Sequence, residues 1–362
     1  MQITTGFHIA DEETETKHVV PVRLCLWRKC CQGRKDQRHE NMKKTLSILM
    51  LGLLTASTVA AQSRVYVTRE ITPESLVKIY KALGRKATGR VAVKISTGES
   101  EKTGYLRPEF IKPLVDEVNG TIVECNTAYG GNRGTTEKHW KAIEERGFTK
   151  VAKVDIMDGE DTIHIPLKDT SRLKYDIVGS HMRNYDFMIN LAHFKGHQMG
   201  GFGGVLKNAS IGVASSAGKA YIHSAGVTED VVECWKHTGD QDGFLEAMAA
   251  TAQGVHEYFN GGKNILYISV MNKMSIDCDC NGNPQAPLIA DYGIVASLDP
   301  VALDQATYDI VANLHNDAHN DTKPMLDRIK KQNGTHTIEW AEKIGLGSRK
   351  YKLIHLDKKS RK

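Results

Sequence analysis

From residue 62 onward, short apolar runs alternate with longer amphipathic segments. Runs rich in Val and Ile predict strands, and apolar residues at helical spacing predict the helices between them. The predicted strands are RVYV (64–67), RVAVKIS (90–96), TIVECN (121–126), VAKVDI, TIHIPL, FMINLA (187–192), ILYISVM (265–271), GIVASLD (293–299) and KLIHL (352–356). Strands that alternate with helices predict an α/β fold, a mostly parallel sheet flanked by helices whose βα loops form one edge of a site.

Capping residues mark the starts of two helices. Thr72 precedes one proline and Asp299 precedes another, so in each case a capping side chain stands before a proline at the first helical position. The first of these helices is expected to end at Gly84. The other predicted helices are EFIKPLVDEV after Pro108, the segment that contains His139 and ends at Gly147, segments near 228–237 and 243–259, and two helices before the last strand. TIHIPL is expected to form an antiparallel excursion.

The segment from Met42 to Ala61 is typical of a secretory signal peptide. Two lysines follow the methionine, an apolar run spans 46–59, and small residues lead to the expected cleavage point after Ala61. The run is shorter than the roughly 20 residues of a membrane span. We therefore expect an exported protein, periplasmic or secreted, with no stable membrane span after cleavage and with residues 1–41 as an upstream extension outside the native protein. An uncleaved anchor is the alternative.

Composition narrows the classes of partner. Of the 362 residues, 40% are hydrophobic and 25% charged, which is typical of a globular protein. The formal net charge is +5, and part of that excess lies in the first 61 residues, so no basic footprint for nucleic acid remains. Aromatic residues make up only 7%, which argues against a stacking platform for single strands.

The stretch 193–223 follows an apolar run, is rich in glycine and carries three His and three Lys. Glycine allows backbone amides to approach a ligand, while Lys and His supply charge and proton transfer. Such a loop at a strand end predicts a site for a small anionic ligand or a metal. The alternative is a set of glycine turns with solvated lysines.

Several known motifs fail on this sequence. A P-loop needs four residues between its glycines and a hydroxyl after its lysine, but Gly212 and Gly218 are separated by five residues and Ala220 follows the lysine. The dinucleotide pattern fails because Leu206 stands at its last glycine position. Neither a G-x-S-x-G elbow nor an H-E-x-x-H helix occurs. The sequence therefore contains no recognisable nucleotide-binding motif, and its cofactor is open between a metal ion and an iron–sulfur cluster.

The sequence DCDC at 277–280 is a second candidate site. In an extended chain Cys278 and Cys280 point to the same face, so two thiolates could share one metal. Thiolates suit zinc, copper(I) or an iron–sulfur centre. The alternatives are a disulfide to Cys125 or Cys234, and core thiols without a role.

Other charged residues lie near predicted strand ends. Loops that follow parallel strands meet at one edge of the sheet, so Lys94, Asn126, Lys195 and Asp299 are expected to lie close together. Asp299 is expected to act mainly as a helix cap. Asp304 could orient a histidine or lysine of the site, or face solvent.

The combination of K-G-H at 195–197, F-G-G-x-L-K-N at 202–208, and C-D-C before the sequence ASLDPVALD at 296–304 resembles the domain of unknown function 362 family. The resemblance covers about 89–315. It implies a domain over that range, preceded by a strand and helix (62–88) and followed by C-terminal helices, a strand and a basic tail (316–362).

The family has no agreed activity, so the resemblance implies importance without assigned roles for the matching residues. Many relatives carry an added ferredoxin-type segment, which implies a link to iron–sulfur or redox chemistry, and this sequence has no such repeat. The matching residues are Lys195, His197, Lys207, Asn208, Lys219, His223, Cys278, Cys280, Asp299 and Asp304.

Two functions from different classes fit these residues. The first is an exported metal-dependent enzyme that acts on a small anionic substrate, with a redox or iron–sulfur link as one option. The alternative is a non-catalytic ligand-binding protein of the cell envelope with disulfide-bonded cysteines. The candidate residues are Lys195, His197, Lys207 and Asp304 for catalysis, Lys94, Asn208, Lys219 and Asp299 for ligand binding, and Cys278, Cys280 and His223 for the metal, with His197 as an alternative ligand.

Overall fold

The structure of the protein is a computed structural model that describes residues 62–357. The expected signal peptide and upstream extension lie outside these residues. Across 62–357, every helix is too short or too polar to cross a membrane.

Twelve strands form one large sheet and two small ones. They are β1 (Ser63–Thr68), β2 (Val91–Lys94), β3 (Thr121–Glu124), β4 (Val154–Ile156), β5 (Thr162–Pro166), β6 (Tyr175–Gly179), β7 (Phe187–His193), β8 (Lys195–His197), β9 (Gly201–Gly203), β10 (Ile265–Met271), β11 (Gly293–Ser297) and β12 (Tyr351–His355). The large sheet has the order β12-β1-β11-β10-β7-β2-β3-β4, while β5 pairs with β6 and β8 with β9.

The predicted α/β fold with a mostly parallel sheet is confirmed. Strands β10, β7, β2, β3 and β4 are parallel neighbours, β12 is parallel to β1, and only β11 runs antiparallel to both of its neighbours in the large sheet. The predicted antiparallel excursion is the β5–β6 pair. The carboxyl ends of β2, β3, β7 and β10 therefore lie at one edge, which is where α/β proteins place their sites.

Ten α-helices occur within residues 62–357. They are α1 (Pro73–Ala82), α2 (Pro108–Glu117), α3 (Thr136–Glu145), α4 (Phe148–Val151), α5 (Val205–Ala209), α6 (Ser216–His223), α7 (Gln241–Tyr258), α8 (Pro300–Ala312), α9 (Lys323–Lys331) and α10 (His336–Lys343). Thr72 caps α1 through the backbone amide of Ser75, as its position before a proline predicts.

The sheet is buried on both faces. Alternate residues of β10 belong to different cores: Tyr267 packs with α5, α7 and α8 on one face, and Leu266 packs with α1 and α2 on the other. Two covered faces explain why the strands read as continuous apolar runs, since parallel sheets seldom expose a face to water.

Two parts of the chain differ from the expected elements. The segment near 228–237 contains only a 3₁₀ turn, Glu233–Lys236, because exposed Val231 and Val232 give it no apolar face to bury. The stretch 193–223 is also more ordered than a glycine-rich loop, since it folds into β8, β9, α5 and α6.

Candidate functional site

The glycine-rich stretch and the DCDC loop are in direct backbone contact. The amide of Gly196 donates to the carbonyl of Ser275 at 2.8 Å. A Cβ at Gly196 would lie 2.1 Å from the carbonyl oxygen of Ile276, so only glycine permits this approach. The contact places strand β8 beside the loop that carries Cys278 and Cys280.

A cavity of about 90 Å³ lies at the carboxyl edge of the sheet, between these two segments and the loop after β3. A water molecule needs roughly 10–15 Å³ measured in the same way, so the space suits several waters or a small ligand. Its lining residues include Lys94, Ser96, Glu124, Cys125, Tyr129, Arg133, Lys195, His197, Gly203, Gly204, Lys207, Asn208, Gly212, Lys219, His223, Cys278 and Cys280. Most of the candidate residues from the sequence are therefore brought together.

Glu124 is the centre of a buried ion network in the cavity wall. Its carboxylate accepts from Lys94 Nζ at 3.0 Å and from Arg133 Nη1 at 3.1 Å, and Arg133 also contacts Glu99 at 3.2 Å. Burial alone would raise the pKa of Glu124, but the charges of Lys94 and Arg133 outweigh it and hold the pKa well below its usual range. These two cations are therefore compensated without a ligand.

The central aspartate of the DCDC loop, Asp279, holds a histidine and a lysine. Its Oδ2 lies 2.9 Å from His193 Nδ1 and 3.1 Å from Lys195 Nζ. Burial would raise the pKa of Asp279, but the charges of His193 and Lys195 keep it well below its usual value. Lys195 is thus committed to positioning the thiol loop, and its charge is already compensated.

Lys207 and Lys219 differ from the other cavity lysines because neither forms a salt bridge within the described residues. Lys219 is 6% exposed and its Nζ bonds only to the carbonyl of Ala214, at 2.5 Å. Desolvation lowers the pKa of Lys219. A Cβ at Gly203 would lie 3.3 Å from the side chain of Lys195 and 3.3 Å from that of Lys207. Lys207 and Lys219 therefore both remain available to an anion in the cavity.

The two thiols of the DCDC loop and His197 form the one cluster of metal-capable side chains found among residues 62–357. A ring nitrogen of His197 and the sulfurs of Cys278 and Cys280 all lie within 4.8 Å of one another. A hydrogen bond from Cys280, and then the charge of Lys207, hold the pKa of Cys278 well below the usual thiol range, whereas the pKa of Cys280 is raised. Cys278 is therefore the thiolate of the pair.

His197 is oriented by backbone amides. Its Nδ1 accepts from the amides of Gly200 at 2.8 Å and Met199 at 3.2 Å, so this nitrogen carries no proton. Burial lowers the pKa of His197, which keeps the ring neutral, and its proton must then be on Nε2. A ring that ligates a metal through Nε2 ordinarily donates through Nδ1. His197 is thus suited to donate to the Cys278 sulfur and poorly suited to bind a metal.

His223 lines the same cavity but lies outside the cluster formed by His197 and the two thiols. Asn208 lies in the wall, where its side-chain amide donates to Asn190 at 2.7 Å and to the carbonyl of Lys94 at 3.1 Å. It therefore ties α5 to the end of β2 and to the middle of β7.

Two aspartates do not lie where the sequence places them. Asp299 caps α8 through Val301 and Ala302, and also accepts from Ser63 at the start of β1. The expectation that it joins the other strand-end residues is wrong, because β11 runs antiparallel and ends at the opposite edge of the sheet. The cap itself is as expected.

Asp304 neither faces solvent nor contacts a histidine or lysine. Its buried carboxylate accepts from the amides of Val205 and Leu206 at 2.8 and 2.9 Å, which caps helix α5. The expectation that it orients a histidine or lysine directly is wrong; it instead supports the helix that carries Lys207. Asn126 also bonds away from the cavity, to His139 and Thr136.

All four cysteines within the described residues are free thiols. Cys125 lines the cavity, but burial raises the pKa of its thiol, and its sulfur donates to the carbonyl of Val213 at 3.1 Å. Cys234 is buried away from the cavity. Glu124, Arg133 and Tyr129 were not selected from the sequence as site residues; a charged residue at the end of the apolar run TIVE was the available signal for Glu124.

The family model described as domain of unknown function (DUF362) matches residues 91–309, more than half of the chain. The chain belongs to the DUF362 family. The resemblance seen in its motifs is thereby confirmed. No curated protein matches the DUF362 chain.

Two solved structures are similar to this DUF362 chain in part. One is the lactate racemase apoprotein from Thermoanaerobacterium thermosaccharolyticum, with 13% identity, a TM-score of 0.36, and coverage of 68% of this chain and 56% of that one. The other is a protein from Thermotoga maritima, with 10% identity, a TM-score of 0.35, and coverage of 75% and 58%. The chain thus spans little more than half the length of either protein.

Proposed function

We propose that this protein is a metal-dependent enzyme that acts on a small anionic substrate. The observation that carries the proposal is the juxtaposition of the Cys278–Cys280 thiol pair with Lys207 and Lys219 around one cavity. The lysines supply positive charge without a carboxylate partner, and the thiols supply soft donors beside it.

The thiol pair fits a thiophilic metal ion. Cys278 has a lowered pKa, so one ligand is already an anion, and the neighbouring Cys280 can release its proton when a metal binds. Two thiolates would neutralise a divalent ion such as zinc and leave its other positions open. A metal bound there would supply a Lewis acid that polarises an oxygen of the substrate.

The surrounding residues position this centre. Asp279 holds the loop between the two thiols through His193 and Lys195. The Nε2–H of His197 is the donor available to the Cys278 sulfur, while Lys207 and Lys219 would bind the anion. The side chains of Lys94 and Asn208 tie α5 to the end of β2 and line the cavity.

Metal titration of anaerobically purified protein tests the proposal. We expect zinc or cadmium to bind with one equivalent and to give a sulfur-to-cadmium absorption band, and Cys278→Ser or Cys280→Ser to weaken binding by about 100-fold or more. Cys234→Ser is the matched control, because it removes a buried thiol that does not line the cavity, and it should bind as the wild type does.

Two results would contradict the metal-dependent enzyme. Wild-type protein that binds no thiophilic metal would remove the centre. A disulfide between the two loop cysteines in native protein, with retained anion binding, would instead favour the ligand-binding protein of the cell envelope.

We also propose that the protein is exported. The support is the signal-like segment that ends at Ala61, directly before the start of β1 at Ser63. Expression of the full sequence in a bacterial host should yield a protein whose first residue is Gln62, as measured by intact mass. Recovery of an uncleaved chain would overturn the cleavage.

A further inference from the structure

The hydrogen bonding of His223, which lines the cavity, determines which of its ring nitrogens carries the proton. Its Nδ1 lies 2.6 Å from the carbonyl oxygen of Lys219, and a carbonyl can only accept, so Nδ1 must donate. Burial lowers the pKa of His223 to about 3, so the ring is neutral. A neutral ring with its proton on Nδ1 has a bare lone pair on Nε2.

The ring is held in this orientation by its neighbours. It stacks on Phe244 with a centroid distance of 5.1 Å and lies 5.3 Å from the ring of Trp235. Its Nε2 has no hydrogen-bond partner anywhere in residues 62–357, and His223 lines the cavity. The cavity therefore contains one strong neutral acceptor beside cationic donors.

We propose that His223 makes the cavity select anions that carry their own O–H hydrogen. This inference rests on the proposed function and names the class of its substrate. Lys207 and Lys219 provide donors for negatively charged oxygens, while the bare Nε2 is satisfied only by a ligand that donates a hydrogen to it. An anion without such a hydrogen would place a lone pair against a lone pair and leave the Nε2 acceptor without a hydrogen bond.

A bare Nε2 could also ligate a metal ion instead of accepting a hydrogen bond from a ligand. His223 is not within reach of both thiols, however, so a metal on Cys278 and Cys280 does not use it in this arrangement. The acceptor remains available to the ligand of the cavity.

Inorganic phosphate and sulfate provide a direct test. In mildly alkaline buffer both are tetrahedral dianions, but phosphate keeps one proton and sulfate keeps none. We expect calorimetric titration of the wild type to show phosphate binding about tenfold or more tighter than sulfate. Lys207→Met should weaken the binding of both ions, and that result would show that they bind in this cavity.

The diagnostic variant is His223→Phe, which keeps an aromatic ring between Trp235 and Phe244 but lacks the acceptor. It should lose the preference for phosphate and bind sulfate at least as tightly as the wild type does. A merely structural role for His223 would weaken both ions in proportion, and that result would overturn the proposal.

Two further outcomes separate this proposal from the proposed function. Equal binding of both ions by the wild type would overturn the selection of protonated anions and leave an anion-binding enzyme. Failure of both ions to bind would overturn both proposals. Nitrogen-15 NMR of the histidine rings gives an independent check, because a proton on Nε2 of His223 would exclude its role as acceptor.

Discussion

At the scale of single residues, the chemistry of this protein is set by how its buried charges are compensated. Glu124 has two cations within 3.1 Å and is held ionised by them. Asp176 is also buried, but neither of its side-chain oxygens has a hydrogen-bond partner. Burial raises the pKa of Asp176 to about 7. One carboxyl therefore stabilises the folded state as an anion, whereas the other favours its neutral form.

Asp176 predicts a specific loss of stability with rising pH. The folded protein keeps the proton on Asp176 up to about pH 7, whereas the unfolded chain releases it near pH 4. The stability that this protonated carboxyl contributes is therefore fully present below pH 4 and is lost as the pH rises to about 7. Between pH 5 and 8 the free energy of unfolding should fall by about 2–3 kcal/mol from this group. Urea unfolding should show that the free energy of unfolding falls less with pH in Asp176→Asn than in the wild type over this range. If the two proteins lose stability in parallel as the pH rises, the assignment is contradicted.

The thiolate character of Cys278 makes a second prediction at this scale. In metal-free protein Cys278 should react with iodoacetamide at mildly acidic pH, where an ordinary thiol with a pKa of about 8.5 reacts slowly. Lys207→Met removes a charge that lowers this pKa, so the reaction should shift to higher pH. Peptide mass spectrometry reads the site, with Cys125 as the internal control because burial raises its pKa. Equal rates in Lys207→Met and in the exposed control Lys86→Met would contradict the prediction.

At the scale of elements, the site depends on close approaches that only glycine allows. Gly196 lets β8 contact the loop before Cys278. Gly204 faces the carboxylate of Asp304, where a Cβ would lie 2.2 Å from Oδ1. The glycines thus hold short, otherwise weak elements at fixed distances from one another.

The substitution Gly196→Ala tests the first of these contacts. The added methyl must separate β8 from the thiol loop, so cadmium affinity should fall by about 10–100-fold although both thiols remain. The sulfur-to-cadmium absorption band measures this. Gly239→Ala is the matched control, because a Cβ there meets no atom within 4 Å, and it should bind normally. Equal affinities in the two variants would show that the contact does not position the thiols.

The cap of α5 makes a separate prediction. Asp304→Ala removes both acceptors from the start of the helix that carries Lys207, so it should cost about 1–2 kcal/mol of stability and also weaken phosphate binding. Thr135→Ala removes the cap of α3, which begins after the cavity loop, and should cost stability alone. Chemical denaturation and calorimetric titration give the two readouts. Unchanged phosphate affinity in Asp304→Ala would mean that Lys207 does not depend on this cap.

At the scale of the whole molecule, one sheet joins the ends of the described chain. β12 at the C-terminal end pairs with β1, and β1 pairs with β11 near the middle of the sheet order. A chain that begins at Gln62 contains all eight strands and should unfold in a single transition, because both cores pack on the same strands. Scanning calorimetry measures this, and two separated transitions would contradict it.

The order of elements and the family could be predicted from the sequence. Apolar runs marked the main strands of the large sheet, and Thr72 and Asp299 marked helix starts, because these signals are local. The short elements β8, β9, α5 and α6 were not predicted, since their stability comes from packing against distant segments. The prediction of a helix near 228–237 was wrong for the complementary reason. Apolar residues at helical spacing do not form a helix when no neighbouring element packs on them.

The sequence by itself determined the α/β class, the family and the residue types of the candidate site, since these depend on periodicity and on motifs. Only the tertiary structure decided which residues meet. The antiparallel course of β11 removed Asp299 from the cavity, and Asp304 became a cap rather than an orienting residue. Backbone contacts also gave His197 and His223 opposite protonated nitrogens. Such assignments depend on hydrogen bonds whose partners are fixed by three-dimensional packing, which no spacing along the chain encodes.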